Sequence, residues 1–321
     1  MAEQPLVFVH VPKTAGTSLR DGLAEVLPPD SVVCDYGSDS AITHPALRDQ
    51  PGPDERREVM ERLRPAVISG HFTLVRYASL VPPTRMFTML RAPEAHAVSQ
   101  FLHRSRMGSF DGSFEEFLEL EDYANTQARL FGDFPVELLG FIGLAERFDE
   151  SCALFEHRYG ISPRRLRRNE AKQKPGARPQ MNAGLRGLIA RTRKQDTLLY
   201  KRATWLFDAR LKALANGQPH VVGRMKVHSG TQVEGLALNH DSPEPAQVRL
   251  VVGKRFRSPL FPASEPVERW KAFALPRDGN IGFSYTLPLI PEPGEVVRLE
   301  YSDGRHIGRH VSSGPAPASA A

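Results

Sequence analysis

The sequence has few cysteines and no long apolar run, and each absence excludes a class of protein. Its 321 residues include only Cys34 and Cys152, which lie far apart without the spacing of metal ligands. A disulfide framework or a zinc site is therefore not expected, and a reduced, cytoplasmic setting is the default. No apolar segment approaches the length of a membrane span, and the strand that begins at Leu6 leaves no room for a signal peptide. We expect no stable membrane insertion.

The composition has no strong bias either. Hydrophobic residues make up 40% of the chain and charged residues 25%, which is typical of a globular protein. The net charge of +5 is mildly basic. A phosphate-binding site with solvated arginines explains this excess as well as nucleic acid does, and we favour the former. The length is sufficient for one large domain or two ordinary ones.

Strand and helix patterns alternate over the first two thirds of the chain. Apolar, β-branched runs at 6–11, 65–69, 85–90 and 139–144 are typical of buried strands, and amphipathic segments separate them. This alternation predicts an α/β fold with a doubly wound parallel sheet. Ligands bind beyond the carboxyl ends of the strands in such sheets. Lys13, His71 and Arg91 lie just past three predicted strands.

The pattern changes after Gly217-Gln218-Pro219. From there, short alternating runs are separated by turn residues, and Asp303-Gly304 is a strong two-residue hairpin signal. We predict an α/β domain over 1–217, a sandwich-like all-β accessory module over 218–312 and a disordered tail over 313–321.

The loop after the first strand has the composition of an anion site. In FVHVPKTAGTSLRDGL, residues 8–23, a strand stops at Pro12-Lys13 and a helical pattern follows the small residues after it. Amides at a helix start point outward with partial positive charge, and small side chains let a phosphate approach them. A kinase or GTPase P-loop has its lysine after the last glycine, whereas Lys13 precedes Gly16.

The run Pro12-Lys13-Thr14-Ala15-Gly16-Thr17-Ser18 resembles the 5′-phosphosulfate loop of sulfotransferases that use PAPS (3′-phosphoadenosine 5′-phosphosulfate). The sequence of this loop is most similar to that of the carbohydrate branch, which includes heparan sulfate 2-O-sulfotransferase and bacterial relatives. A second motif in this family is an arginine at a strand end with a serine two helical turns later. LRAPEAHAVSQFLH supplies Arg91 and Ser99 at that spacing, with Ala92 and Phe101 where the family usually has aspartate and tyrosine.

A third match, ISGHF at 68–72, places His71 where the 2-O-sulfotransferase type has its general base. The resemblance implies that 1–217 is a PAPS-binding sulfotransferase domain with a P-loop-like fold. It implies transfer of a sulfuryl group from PAPS to a hydroxyl, in line and without a metal. It implies that Lys13 stabilises the leaving phosphate and that His71 takes the acceptor proton. The cofactor-binding residues it implies are Lys13, Thr14, Ala15, Gly16, Thr17, Ser18, Arg91 and Ser99. The acceptor it implies is a carbohydrate.

Two other functions remain open from the sequence. One is a nucleotide- or glycan-binding protein without turnover, and the other, disfavoured by the position of Lys13, is a small-molecule kinase. Three residues are assigned ordinary structural roles: His10 as a core histidine, Gln127 as part of a polar helix face, and Glu146 as an acid at a helix start. The basic stretch over 164–178 is either a solvated segment or a clamp over the cofactor.

Overall fold

The computed structural model describes residues 4–49, 52–166, 179–228 and 230–312. Most of the basic stretch over 164–178 and the predicted tail over 313–321 lie outside the described residues. The chain divides into two compact units: a first unit of Met1–Val81 and Arg85–Ala209, and a second unit of Pro82–Thr84 and Arg210–Ala321. No helix within the described ranges is long and apolar enough to cross a membrane.

The first unit alternates strands and helices, as the sequence predicts. Its elements are β1 (Leu6–Val9), α1 (Gly16–Ala24), β2 (Val32–Cys34), α2 (Pro45–Arg48), α3 (Pro53–Leu63), β3 (Val67–Gly70), α4 (Val75–Ala78), β4 (Met86–Leu90), α5 (Pro93–Arg106), α6 (Phe114–Glu119), α7 (Thr126–Arg129), β5 (Phe141–Leu144), α8 (Phe148–Tyr159), α9 (Ala183–Thr192) and α10 (Lys194–Ala215). Pro93 occupies the first position of α5, where its missing N–H costs nothing.

The five strands form one parallel sheet in the order β2-β3-β1-β4-β5. Phe8 of β1 is paired with Ser69 of β3 on one side and with Phe87 of β4 on the other. All four residues of β1 are buried, which explains its continuous apolar run. The crossover from β1 runs toward one edge of the sheet, whereas those from β3 and β4 run toward the other. The loops after β1, β3 and β4 therefore surround the topological switch point, where α/β sheets bind ligands.

Beyond the end of α10, which extends past Ala209, the second unit is all-β, as the sequence predicts for the C-terminal part of the chain. Its strands are β6 (Val221–His228), β7 (Gln232–Asn239), β8 (Gln247–Val252), β9 (Phe256–Arg257), β10 (Phe261–Pro262), β11 (Glu265–Pro266), β12 (Asn280–Thr286), β13 (Val296–Tyr301) and β14 (His306–Val311). One antiparallel sheet has the order β10-β8-β13-β14 with β9 beside β8, and the other has the order β11-β12-β7-β6. Side chains from both sheets form one apolar core, as in a sandwich.

The hairpin predicted at Asp303-Gly304 lies where expected, but its loop has a different length. Asp303-Gly304 lies between β13 and β14, and Gly304 has a φ of 86°. The Tyr301 N–H donates to the Arg305 carbonyl at 2.9 Å, which closes a three-residue loop and not the expected two-residue one. Three-residue hairpin loops place glycine at the left-handed position, so the same Asp-Gly pair fits both lengths.

Candidate active site

The loop between β1 and α1 is held in a strained conformation. Lys13 and Ala15 have φ values of 67° and 66°, in the left-handed region that side chains with a Cβ avoid. Each such residue costs about 1–2 kcal/mol. The buried Thr14 between them fixes the loop, because its Oγ1 donates to the Val11 carbonyl at 2.8 Å. Alternation of backbone handedness turns successive N–H groups toward one side and forms a concave anion-binding nest.

The start of α1 has the features of an anion site. Ala15, at the N-cap, provides no side-chain cap, and the first turn of α1 contains no acidic residue. The helix start thus keeps its partial positive charge. Gly16 is required here because a Cβ would lie 2.2 Å from Cδ2 of His10. Among the other predicted cofactor residues in the loop, Thr17 is half-buried and Ser18 is buried.

Arg91 joins this loop from the end of β4. Its Nη1 donates to the Lys13 carbonyl at 3.2 Å, so the structure brings these two predicted residues together. The backbone of Arg91 is fixed by the Gln127 carboxamide, which accepts from the Arg91 N–H and donates to the Arg91 carbonyl, both at 2.9 Å. The assignment of Gln127 to a polar helix face is wrong, because the side chain is buried and holds the backbone of Arg91.

Glu146 makes a second contact beside Arg91 that sequence patterns do not indicate. Its Oε1 accepts from the Ala92 N–H at 3.0 Å and lies 4.0 Å from Nε of Arg91. Its Oε2 accepts from the Tyr200 hydroxyl at 2.8 Å. The assignment of Glu146 as an ordinary helix-start acid is therefore incomplete, because the carboxylate holds the turn that follows Arg91. The only sequence signal was indirect: Ala92 stands where the resembled family has an aspartate.

The site is cationic. Lys13 is half-buried, and its pKa is lowered mainly by burial and further by the nearby positive charges of Arg106 and Arg91. The pKa of His103 is likewise lowered by burial and then by Lys13 and Arg106. Arg106, in the last turn of α5, was not singled out in the sequence. A bound polyanion would relieve the repulsion among these groups.

Ser99, unlike Arg91, makes no hydrogen bond to the loop between β1 and α1 in the part of the chain that the structure describes. It lies two turns into α5 and is half-exposed, and its hydroxyl has no hydrogen-bond partner among the residues that the structure describes. The predicted contact of Ser99 with a phosphate therefore stays a prediction.

His71 directly follows β3, and its tautomer is defined by geometry. Nδ1 lies 2.6 Å from the His10 carbonyl oxygen. A carbonyl only accepts, so we assign the proton to Nδ1 and the lone pair to Nε2. The residue keeps solvent access, yet the protein around its ring lowers the pKa through burial. His71 is therefore neutral at neutral pH, with a basic nitrogen at Nε2.

Tyr36 and His10 form the wall beside His71. The Tyr36 ring meets the His71 ring edge-on with centroids 4.6 Å apart, and the His10 ring centroid lies at 4.7 Å. The Tyr36 hydroxyl is 2.6 Å from Nδ1 of His10 and 2.9 Å from Oγ of Ser69, and Arg20 donates to it at 3.3 Å. His10 is buried as predicted, but its carbonyl also fixes the tautomer of His71. No sequence pattern indicates a role for Tyr36.

The described residues around this site include no cluster of metal ligands. In the part of the chain that the structure describes, no three histidine, cysteine, aspartate or glutamate side chains lie close enough together to hold a metal ion. The metal-free scheme stays a prediction.

No protein-family model matches the chain, and no curated protein matches its sequence. Among solved structures, a crystal structure of a sulfotransferase from Alicyclobacillus acidocaldarius is similar to it, at 17% sequence identity and a TM-score of 0.30. The similarity covers 67% of this chain and 96% of that chain. At these values the likeness defines neither a family nor an activity for the chain.

Proposed function

We propose that the protein is a sulfotransferase that moves a sulfuryl group from PAPS to a hydroxyl of a carbohydrate acceptor, with a P-loop-like fold in its first unit. The observation that supports this most is the 3.2 Å hydrogen bond from Arg91 to the Lys13 carbonyl at the switch point of the sheet. This hydrogen bond joins the strained loop before α1, whose helix start is uncapped, to the guanidinium group of Arg91. Two separate sets of donors suit a nucleotide with phosphates at two positions.

The residues present fit such a donor. Lys13, the amides at the start of α1 and Arg91 are anion-binding groups. The first turn of α1 contains no acidic residue, and Glu146 lies 4.0 Å from Nε of Arg91. Arg91 offers a planar fork that suits a phosphate, and Gln127 keeps the backbone of that arginine in place. In this proposal the loop over 12–18 holds the 5′ end of the nucleotide, and Arg91 with Ser99 holds the 3′-phosphate.

The chemical roles follow from charge and protonation. Bound PAPS would supply a sulfuryl group on a phosphate leaving group. Lys13 would stabilise the negative charge that develops on that phosphate. Nε2 of His71 would accept the proton of the acceptor hydroxyl, while Nδ1–H stays on the His10 carbonyl. The carbohydrate acceptor is proposed from the sequence of the loop over 12–18 and from the position of His71.

Calorimetry with two nucleotides tests the donor site. Adenosine 3′,5′-bisphosphate should bind more tightly than AMP by about 2 kcal/mol, or roughly 30-fold, because only the bisphosphate engages Arg91 through a 3′-phosphate. Arg91→Gln should remove most of this difference. Exposed Arg129→Gln, a change of equal charge on α7, is the control and should leave it unchanged. Equal affinities for both nucleotides in the wild-type protein would contradict the proposal.

A further inference from the structure

The outer face of one sheet in the second unit has an unusual concentration of arginine. In β13, Val297 and Leu299 belong to the apolar core, so the alternation of a strand turns Arg298 to the outer face. The same argument applies to Arg249 of β8, between the core residues Val248 and Leu250, and to Arg257 of β9, which follows Phe256. Arg309 of β14 shares this face because it is paired with Arg298. We call the group formed by Arg249, Arg257, Arg298 and Arg309 the arginine face.

The strand register places three of these arginines in one row. Arg298 is paired with Arg309 of β14 on one side and with Val251 of β8 on the other, and Val251 is paired in turn with Arg257 of β9. Neighbouring strands lie about 4.8 Å apart, so Arg257 and Arg298 are separated by about 10 Å and Arg298 and Arg309 by about half of that. The row crosses four strands.

The positive charge of the arginine face is compensated only in part within the sheet, because Glu300 is paired across the strands with Arg249 and forms an ion pair with Arg257. Glu300 is the only acidic residue in the five strands β8, β9, β10, β13 and β14, and it lies 3.2 Å from Nη2 of Arg257 and 3.4 Å from Nε2 of His306. Among the described residues, Arg298 and Arg309 have no ion-pair partner, and the buried Nε of Arg298 has no hydrogen-bond partner. Like charges directly opposite each other destabilise a sheet.

The other sheet of the same unit shows the usual arrangement. There Lys226 of β6 is paired with Glu234 of β7, so opposite charges face each other across the strands. The pairing of Arg298 with Arg309 is thus a local feature of one face. An anion that bound both guanidinium groups would offset their repulsion.

We propose that the arginine face binds an anionic polysaccharide, a chain that carries carboxylate or sulfate groups at regular intervals. The inference rests on the proposed function, since it identifies the acceptor as an anionic glycan. Arginines on strand positions about 5 and 10 Å apart suit a linear chain with repeated charges. A nucleic acid is disfavoured because the aromatic residues of these strands, Phe256, Phe261 and Tyr301, pack against the core and leave no stacking surface outside.

Binding to the second unit would raise the effective concentration of a polymeric acceptor for the reaction in the first unit. This effect needs no change in the chemistry at His71. It predicts a preference for long, charged acceptors over short or neutral ones.

The test compares two double variants of the full chain. Arg298→Gln/Arg309→Gln removes two charges from the arginine face, and the control Arg224→Gln/Lys226→Gln removes two exposed charges from the outer face of the other sheet. Binding of a labelled heparin oligosaccharide is measured by fluorescence anisotropy at about 0.15 M salt. We expect affinity to fall at least about 30-fold in the first variant and by less than about threefold in the control. The heparin affinity of Arg298→Lys/Arg309→Lys should lie between those of the wild type and the Gln double variant, because lysine keeps the charge but lacks the planar guanidinium fork.

Several results would overturn the inference. An equal loss in both double variants would mean that net charge alone attracts heparin. Single-stranded DNA that binds as tightly as heparin, with the same loss in the first variant, would assign the face to nucleic acid. The Gln double variant should unfold at the same temperature as the wild type or a higher one, since a repulsion is removed. Adenosine 3′,5′-bisphosphate affinity is measured in parallel. If the protein bound heparin but not the bisphosphate, the proposed sulfotransferase function would be wrong, while the proposed role of the arginine face would still hold.

Discussion

His71 illustrates how a backbone contact defines the chemistry of a side chain. The His10 carbonyl accepts from Nδ1, so Nε2 is the nitrogen with the lone pair. Burial lowers the pKa of the ring, which keeps Nε2 available as a base at neutral pH. Tyr36 stands edge-on beside the ring and restricts its rotation. The position of His71 after a strand was predictable, whereas its tautomer depends on a contact 61 residues away in sequence.

The pH dependence of the rate follows from this arrangement. A base works only when it is neutral, so kcat/KM should be constant above the pKa of His71 and should fall as the pH drops through it. Because that pKa is lowered from 6.5, the acidic limb should lie below pH 6.5. The measurement is kcat/KM across pH 4.5–8 for the wild type and for His71→Gln.

The residual activity of His71→Gln should lack this limb, and bisphosphate binding by the wild type should not show it. An acidic limb above pH 6.5, or one that persists in the variant, would assign the titration to another group.

At the scale of elements, the loop between β1 and α1 is the part of the site that depends most on backbone conformation. Two non-glycine residues with positive φ within three positions store strain, and such strain is often found where a ligand is bound. The sequence identified this loop because a buried strand is followed directly by small residues and an amphipathic helix. It could not identify the support of Arg91, since Gln127 and Glu146 are 36 and 54 positions away from the backbone groups that they bind. Such contacts follow from the sheet order, which a local pattern does not contain.

Gly16→Ala tests the packing of this loop. The added Cβ would lie 2.2 Å from the His10 ring, so either the loop or the ring must move. We expect a lower unfolding temperature and bisphosphate binding weaker by about tenfold, as for other over-packed sites. Differential scanning calorimetry and titration calorimetry measure the two effects.

Gly187→Ala in α9 is the matched control. Its Cβ would meet nothing within 4 Å, and alanine favours a helix over glycine. This variant should be at least as stable as the wild type and should bind the bisphosphate normally. The same effect in both variants would show that Gly16 has no special role.

At the scale of the whole molecule, the division into an α/β unit and an all-β unit follows from two different hydrophobic periods in one chain. The first unit has continuous apolar strands because its parallel sheet is covered on both faces, and the second has alternating strands because each of its sheets has an outer face. This much was predictable from the sequence. The pairing of Arg298 with Arg309 was not, because it depends on the register of the β13–β14 hairpin.

The central claim is that the first unit transfers a sulfuryl group with the help of Lys13 and His71. Its most direct test is to incubate the purified full chain with PAPS labelled in the sulfuryl group and to measure label in a panel of anionic and neutral glycans. We predict label on at least one glycan, and a rate lower by at least about 100-fold in Lys13→Ala and in His71→Ala, with bisphosphate binding nearly unchanged in the latter. Absence of transfer to every acceptor, or transfer at the wild-type rate by both variants, would contradict the account.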